Sequence, residues 1–204
     1  MLAGMTRLGA IISAVIVLAV IGFASMLSFG PAPATPKQAG MTRDMPAAVP
    51  ALPKIMGDGL RVPVAGVSRA ALRDSWGEAR EGGARGHHGT DIMARAGTPV
   101  IAAADGWVEK LFDSERGGTT LYQRSADRHW TYYYAHLAGY APGVREGMRV
   151  RAGQVLGYVG DTGDAAAGNY HLHFGLTRMH GGDRWWQGNN VNPYPLLARQ
   201  PAGR

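Results

Sequence analysis

The sequence predicts a mainly β protein, an antiparallel sheet of sandwich or barrel-like form preceded by a single N-terminal transmembrane helix. Three observations carry this. Thirty glycines and a hydrophobic content of 46% in 204 residues describe a turn-rich globular chain rather than a helical bundle. Short runs rich in Val, Thr, Tyr and Trp, punctuated by glycine, fill the second half of the chain. Residues 8–29, "LGAIISAVIVLAVIGFASMLSF", form a stretch of 22 without a charge.

That stretch is the first element. A spanning helix needs about 20 apolar residues, whereas the core of a cleaved signal has about 7–15. Residues 1–29 therefore read as an uncleaved anchor, with cleavage near Ala32-Pro33-Ala34 and secretion as the alternative. Arg7 on the short side keeps the N-terminus cytoplasmic and exports the rest. Residues 30–54 hold six of the twelve prolines. They can form neither a helix nor a ladder, and as a polyproline-II linker would reach about 75 Å.

Residues 55–200 form the domain. Around "VSRAALRDSW" the pattern predicts a short helix with Ser68 as its N-cap. The β-rich runs follow: "GTPVIAAADGWVEKLF", "TTLYQRS", "HWTYYYAHL", "RVRAGQVLGYVG" and "NYHLHFGL". Gly97-x-x-Val100-x-Ala102 recurs as Gly147-x-x-Val150-x-Ala152, which predicts two similar turn-to-strand units.

Composition also excludes. With no cysteine, disulfides, thiolate zinc sites and cysteine nucleophiles are ruled out, so a metal site must use His, Asp or Glu. The net charge of +6 fits an anionic surrounding, but the 21 Lys and Arg are scattered. Nucleic acid, anionic envelope polymers and plain solubility all fit that distribution, so charge decides little.

Seven histidines remain to be explained. In "NYHLHFGL" strand alternation puts His171 and His173 on one face, about 7 Å apart, with Leu172 and Phe174 on the other. In "RGHHGTDIMA" His87 and Asp91 lie four apart. A straight strand would separate their Cα atoms by about 13 Å, so a bend or bulge at Gly89 must bring them together. On spacing alone His88 could replace His87. In "HWTYYYAHL" alternation puts Trp130, Tyr132 and Tyr134 on one face with His136; aromatics on a strand face are more often core, with lining of a groove beside His136 as the alternative. Two histidines and an aspartate leave one coordination position open, the pattern of catalytic zinc, and suit zinc better than manganese or iron.

These segments, together with "GMRVRAGQVLGYVGDTG" and "VNPYPLL", resemble the lysostaphin-like, LytM-type zinc endopeptidases, and the likeness runs from about Val64 to Leu197. The resemblance implies a LytM-type metallopeptidase domain with one Zn2+ per chain. It places the metal ligands on His87, Asp91 and His173 and the catalytic histidines on His136 and His171. The implied activity is hydrolysis of peptide cross-links in bacterial peptidoglycan, a metal-activated water attacking the scissile carbonyl. Both glycyl and D-alanyl-to-diaminopimelyl links are handled within that family; the anchor favours the latter and a catalytic domain in the periplasm.

The implied partners are peptidoglycan stem peptides, the membrane through the N-terminal helix, and an unknown regulatory envelope protein. A non-catalytic binding or activator module on the same fold is the alternative. A lipoyl-type carrier fits poorly, because Lys110, the domain's single lysine after Lys54, lacks a hairpin-tip setting.

Overall fold

The computed structural model of the chain describes residues 59–199. The predicted anchor (1–29) and linker (30–54) lie outside the described residues. Among the described residues no helix is long and apolar enough to cross a membrane.

A two-stranded ribbon of β1 (Ala79–Arg80) and β2 (Arg85–Gly86) precedes a nine-stranded antiparallel sheet. The sheet contains β3 (Thr90–Met93), β4 (Pro99–Ile101), β5 (Gly106–Ser114), β6 (Gly118–Ser125), β7 (Trp130–Tyr140), β8 (Arg149–Val150), β9 (Val155–Val159), β10 (His171–Arg178) and β11 (Asn189–Val191). The path runs β11-β10-β7-β6-β5-β8, with β3 also on β10, and β9 joining β7 to β4. A five-residue helix α1 (Tyr194–Ala198) closes the domain and buries Leu196 and Leu197. The mainly β, antiparallel expectation therefore holds.

Alternation explains which face is core. Leu172, Phe174 and Leu176 of β10 are fully buried, as are Leu121 of β6 and Val108 of β5. The repeated Gly-x-x-Val-x-Ala unit also has a physical basis. Gly97 and Gly147 both adopt positive φ, then β4 and β8 carry Val100 and Val150 into the core.

Two expectations fail. The predicted helix around Ser68 is a single 3-10 turn, Arg69–Ala71, and Ser68 makes no side-chain cap bond. The turn's arginine is used elsewhere: the Arg69 guanidinium donates to the carbonyls of Leu60 and Leu197, tying both ends of the domain together. None of the three turn residues is buried, so no apolar face exists to extend it.

The second failure is the face shared by Trp130, Tyr132, Tyr134 and His136. The three aromatics belong to the core, at 2%, 3% and 0% exposure, as strand aromatics more often do; it is His136 that leaves their face. Tyr134 donates its hydroxyl to Gln123 and accepts the Ala103 N–H, so its one polar atom is satisfied inside. A bulge separates His136 from them. On β6 the pairing moves two residues, Thr119 to Leu121, while on β7 it moves three, Leu137 to Tyr134. The extra residue lets His136 take φ 61° and point with Ala135 to the outer face, while Leu137 returns to the core. Non-glycine residues at positive φ are uncommon and cluster at functional sites.

Candidate metal centre

The register of β3 on β10 sets the site. Asp91 and His173 are directly paired across the two strands. His87 lies in the short bend between β2 and β3, held by reciprocal backbone bonds with Gly77 and Glu78. The result is three donor atoms in a tight triangle. His87 Nε2 is 3.0 Å from Asp91 Oδ1 and 2.9 Å from His173 Nδ1, and the latter two are 3.1 Å apart. A tetrahedral zinc with bonds of about 2.1 Å spaces its donors by about 3.4 Å, so a small outward adjustment would admit the ion. Among the described residues this is the one group of three or more such side chains close enough to hold a metal.

His87, not His88, enters the triangle. Its Nδ1–H donates to the Ser75 carbonyl at 2.7 Å, which leaves the Nε2 lone pair facing Asp91 and His173. His88 sits on the rim, against Trp76 and Asn190. His129 and His180 do not line the cleft. The bend at Gly89 is present, though its need for glycine has a different cause from the one expected. A Cβ there would lie 2.6 Å from the His173 ring, so Gly89 gives that ring its room.

His136 and His171 face the same cleft, which has a volume of about 450 Å³. Their ring centroids are 4.8 Å apart. His136 donates Nδ1–H to the Thr162 carbonyl at 2.8 Å, and His171 donates to Asn169 at 2.7 Å. Both rings therefore present Nε2 as an acceptor; that of His171 stands 3.9 Å from Asp91 Oδ1.

Electrostatics follow from burial and these pairings. Burial opposes ionisation of Asp91, yet hydrogen bonds and charge from His173 and His87 outweigh it and hold the carboxyl far below the usual carboxylate range. Burial holds His173 below the ordinary imidazole value, against the pull of Asp91. Burial also lowers His136, opposed by the Thr162 carbonyl and reinforced by His171 and His173. Neutral rings and an ionised carboxylate are the protonation states that metal ligation requires.

Three cleft residues had no signal in the sequence. Arg80 Nη2 donates to Asp91 Oδ2 at 2.5 Å, leaving Oδ1 for the triangle. Asp164, from the loop before β10, lies 4.0 Å from His136 Nε2 and 3.3 Å from Arg85. Tyr133, on the outer face of β7, packs edge-on to His173 with centroids 5.8 Å apart. Only pairing across the fold reveals them. Arg80→Met keeps much of the side-chain stem but frees Oδ2. For a metal held by the triangle it is expected to weaken binding about 10–100-fold, read by competition of added zinc with a chelating dye.

The chain matches Peptidase family M23 over residues 85–193, just over half its length. It is 39% identical over 133 residues to the L-Ala--D-Glu endopeptidase of Bacillus subtilis (strain 168), a match covering 62% of this chain and 39% of that one. It is 36% identical over 96 residues to a peptidoglycan DD-endopeptidase of Vibrio cholerae, covering 47% and 22%. The chain thus spans about two fifths or less of these curated relatives' length. Among solved structures, the catalytic domain of lysostaphin from Staphylococcus simulans superposes with a TM-score of 0.53 at 29% identity, covering 63% of this chain and 92% of that one. The chain belongs to Peptidase family M23.

Proposed function

We propose that this chain is a zinc-dependent endopeptidase that hydrolyses peptide cross-links of bacterial peptidoglycan. In this reading His87, Asp91 and His173 hold the metal, while His136 and His171 move protons at the scissile bond. The observation that carries it is the convergence of one acidic and two imidazole donors within 2.9–3.1 Å of each other, in a cleft onto which two further Nε2 atoms open. Bound zinc would supply Lewis acidity, lowering the pKa of a water to about 7 and polarising a carbonyl.

The chain's own residues account for the rest. With Nδ1–H committed to backbone carbonyls, His136 and His171 can each accept a proton at Nε2 and return it to the departing nitrogen. Burial keeps His136 neutral near pH 7, ready to accept. The 22 uncharged residues at 8–29 and the proline-rich linker support a domain tethered to the inner membrane and working in the periplasm.

The test is digestion of purified peptidoglycans with glycyl and with diaminopimelyl cross-links, followed by mass analysis of the released peptides. Zinc-loaded protein should release peptides from at least one type, stop on exhaustive chelation and recover on adding zinc. Undiminished release after chelation, or none from either type with zinc bound, would overturn the proposal.

A further inference from the structure

The outer face of the sheet does not end at the histidines. Tyr133 on β7 is paired in register with Tyr122 on β6, and their ring centroids are 4.7 Å apart. The loop between β10 and β11 lays Trp185 over this row, 4.7 Å from Tyr122 and 5.3 Å from Phe112 on β5. Trp186 follows, 5.1 Å from Trp185, with the Arg184 guanidinium 5.2 Å from its ring. A continuous aromatic row therefore runs from His173 through Tyr133, Tyr122 and Trp185 to Trp186.

Its far end is open. Trp186 is 53% exposed and Phe112 41%, the two most exposed of the Phe, Tyr and Trp side chains among the described residues. Solvent-facing aromatics that are contiguous with a cleft mark a binding surface. Nor is this row an accident of the core, because the core face carries a separate aromatic set, Tyr132, Tyr134 and Phe174.

We propose that this row is a saccharide-binding subsite that holds the glycan strand while its attached peptide enters the cleft. The inference rests on the peptidase reading for its occupant. An exposed aromatic face carries a negative quadrupole, onto which the C–H bonds of a pyranose ring can stack. The rim is polar: Thr177 donates to Asn190 at 3.0 Å, and the Asn190 amide lies 3.4 Å from His88 at the cleft edge. Hydroxyl and amide groups beside stacked rings suit a sugar. A lipid surface would favour an apolar rim, which Thr177 and Asn190 do not supply.

Trp186→Ala in the full-length, zinc-loaded protein tests this, with Phe112→Ala on β5 as the second variant. Two measurements are needed: co-sedimentation with peptide-free glycan strands, and kinetics on intact peptidoglycan against sugar-free cross-linked peptides. Both variants should bind glycan about tenfold more weakly and raise KM for peptidoglycan to a similar extent with kcat unchanged. KM for the sugar-free peptides should not move.

Wild-type protein that fails to bind glycan, or variants that bind it normally, would overturn the inference. So would an equal rise in KM on both substrates, or variants that lose binding to anionic vesicles and not to glycan. Glycan binding that weakens in both variants while no peptidoglycan is cut would support the subsite and sink the peptidase reading instead.

Discussion

On the proposed function, replacing His173 with alanine is expected to empty the metal site and abolish peptidoglycan cleavage together, while the domain stays folded. His173 Nδ1 is one of three donor atoms, 2.9 Å from His87 Nε2 and 3.1 Å from Asp91 Oδ1. Its loss leaves two donors, and the affinity should fall by more than the 10–100-fold that a change behind the ligands costs. The fold should tolerate it, because β10 is anchored by the opposite face: Leu172, Phe174 and Leu176 are all at 0% exposure. Asp91→Asn is the sharper control. It preserves shape, but removes the charge that the two neighbouring rings hold ionised. Zinc per chain by atomic emission, peptide release and a thermal melt on the same preparation check the outcome. A folded His173→Ala protein retaining stoichiometric zinc would mean that other side chains hold the ion.

How much of this was legible in the sequence depends on the range over which each feature is encoded. The H-x-H pair needed only local alternation, and the burial of Leu172 and Phe174 on the opposite face follows from it. The turn-to-strand units at Gly97 and Gly147 were likewise local. Asp91 could be nominated from its spacing to His87, but its placement opposite His173 is a property of the β3–β10 register. Arg80 is harder still. It reaches Asp91 because the β1–β2 ribbon folds over the cleft, and nothing in "GEAREGGARG" announces that contact.

The aromatics show the opposite error, a local rule applied one residue too far. Alternation along "HWTYYYAHL" is sound up to Tyr134 and breaks at His136, where the bulge inserts an extra residue. Parity then assigns Tyr132 and Tyr134 to the cleft and Tyr133 to the core, the reverse of what the fold does. Bulges are set by the partner strand, here by the Gly117 carbonyl that accepts the His136 N–H at 2.8 Å. No window of sequence around His136 contains that partner. The same bulge turns an ordinary strand histidine into a cleft residue, so the misread position and the candidate catalytic position coincide.

That coincidence gives the second large expected effect. His136→Ala should reduce cleavage about 10²–10⁴-fold, the range for loss of a positioned acid–base group, and should leave zinc bound. The separation of outcomes follows from distance. His136 donates Nδ1–H to Thr162, and its ring centroid is 6.0 Å from that of His173, outside the donor triangle. His171→Ala should behave similarly on kcat. Its Nε2 lies only 3.9 Å from Asp91 Oδ1, however, so a modest change in zinc affinity should accompany the loss. The two variants thus differ in a way that a general loss of structure would not produce. Zinc stoichiometry, zinc affinity and kcat measured side by side decide the matter. If His136→Ala emptied the site, the division into metal-holding and proton-moving histidines would be wrong. If it left kcat unchanged with zinc bound, the bulge at β7 would be an element of folding alone.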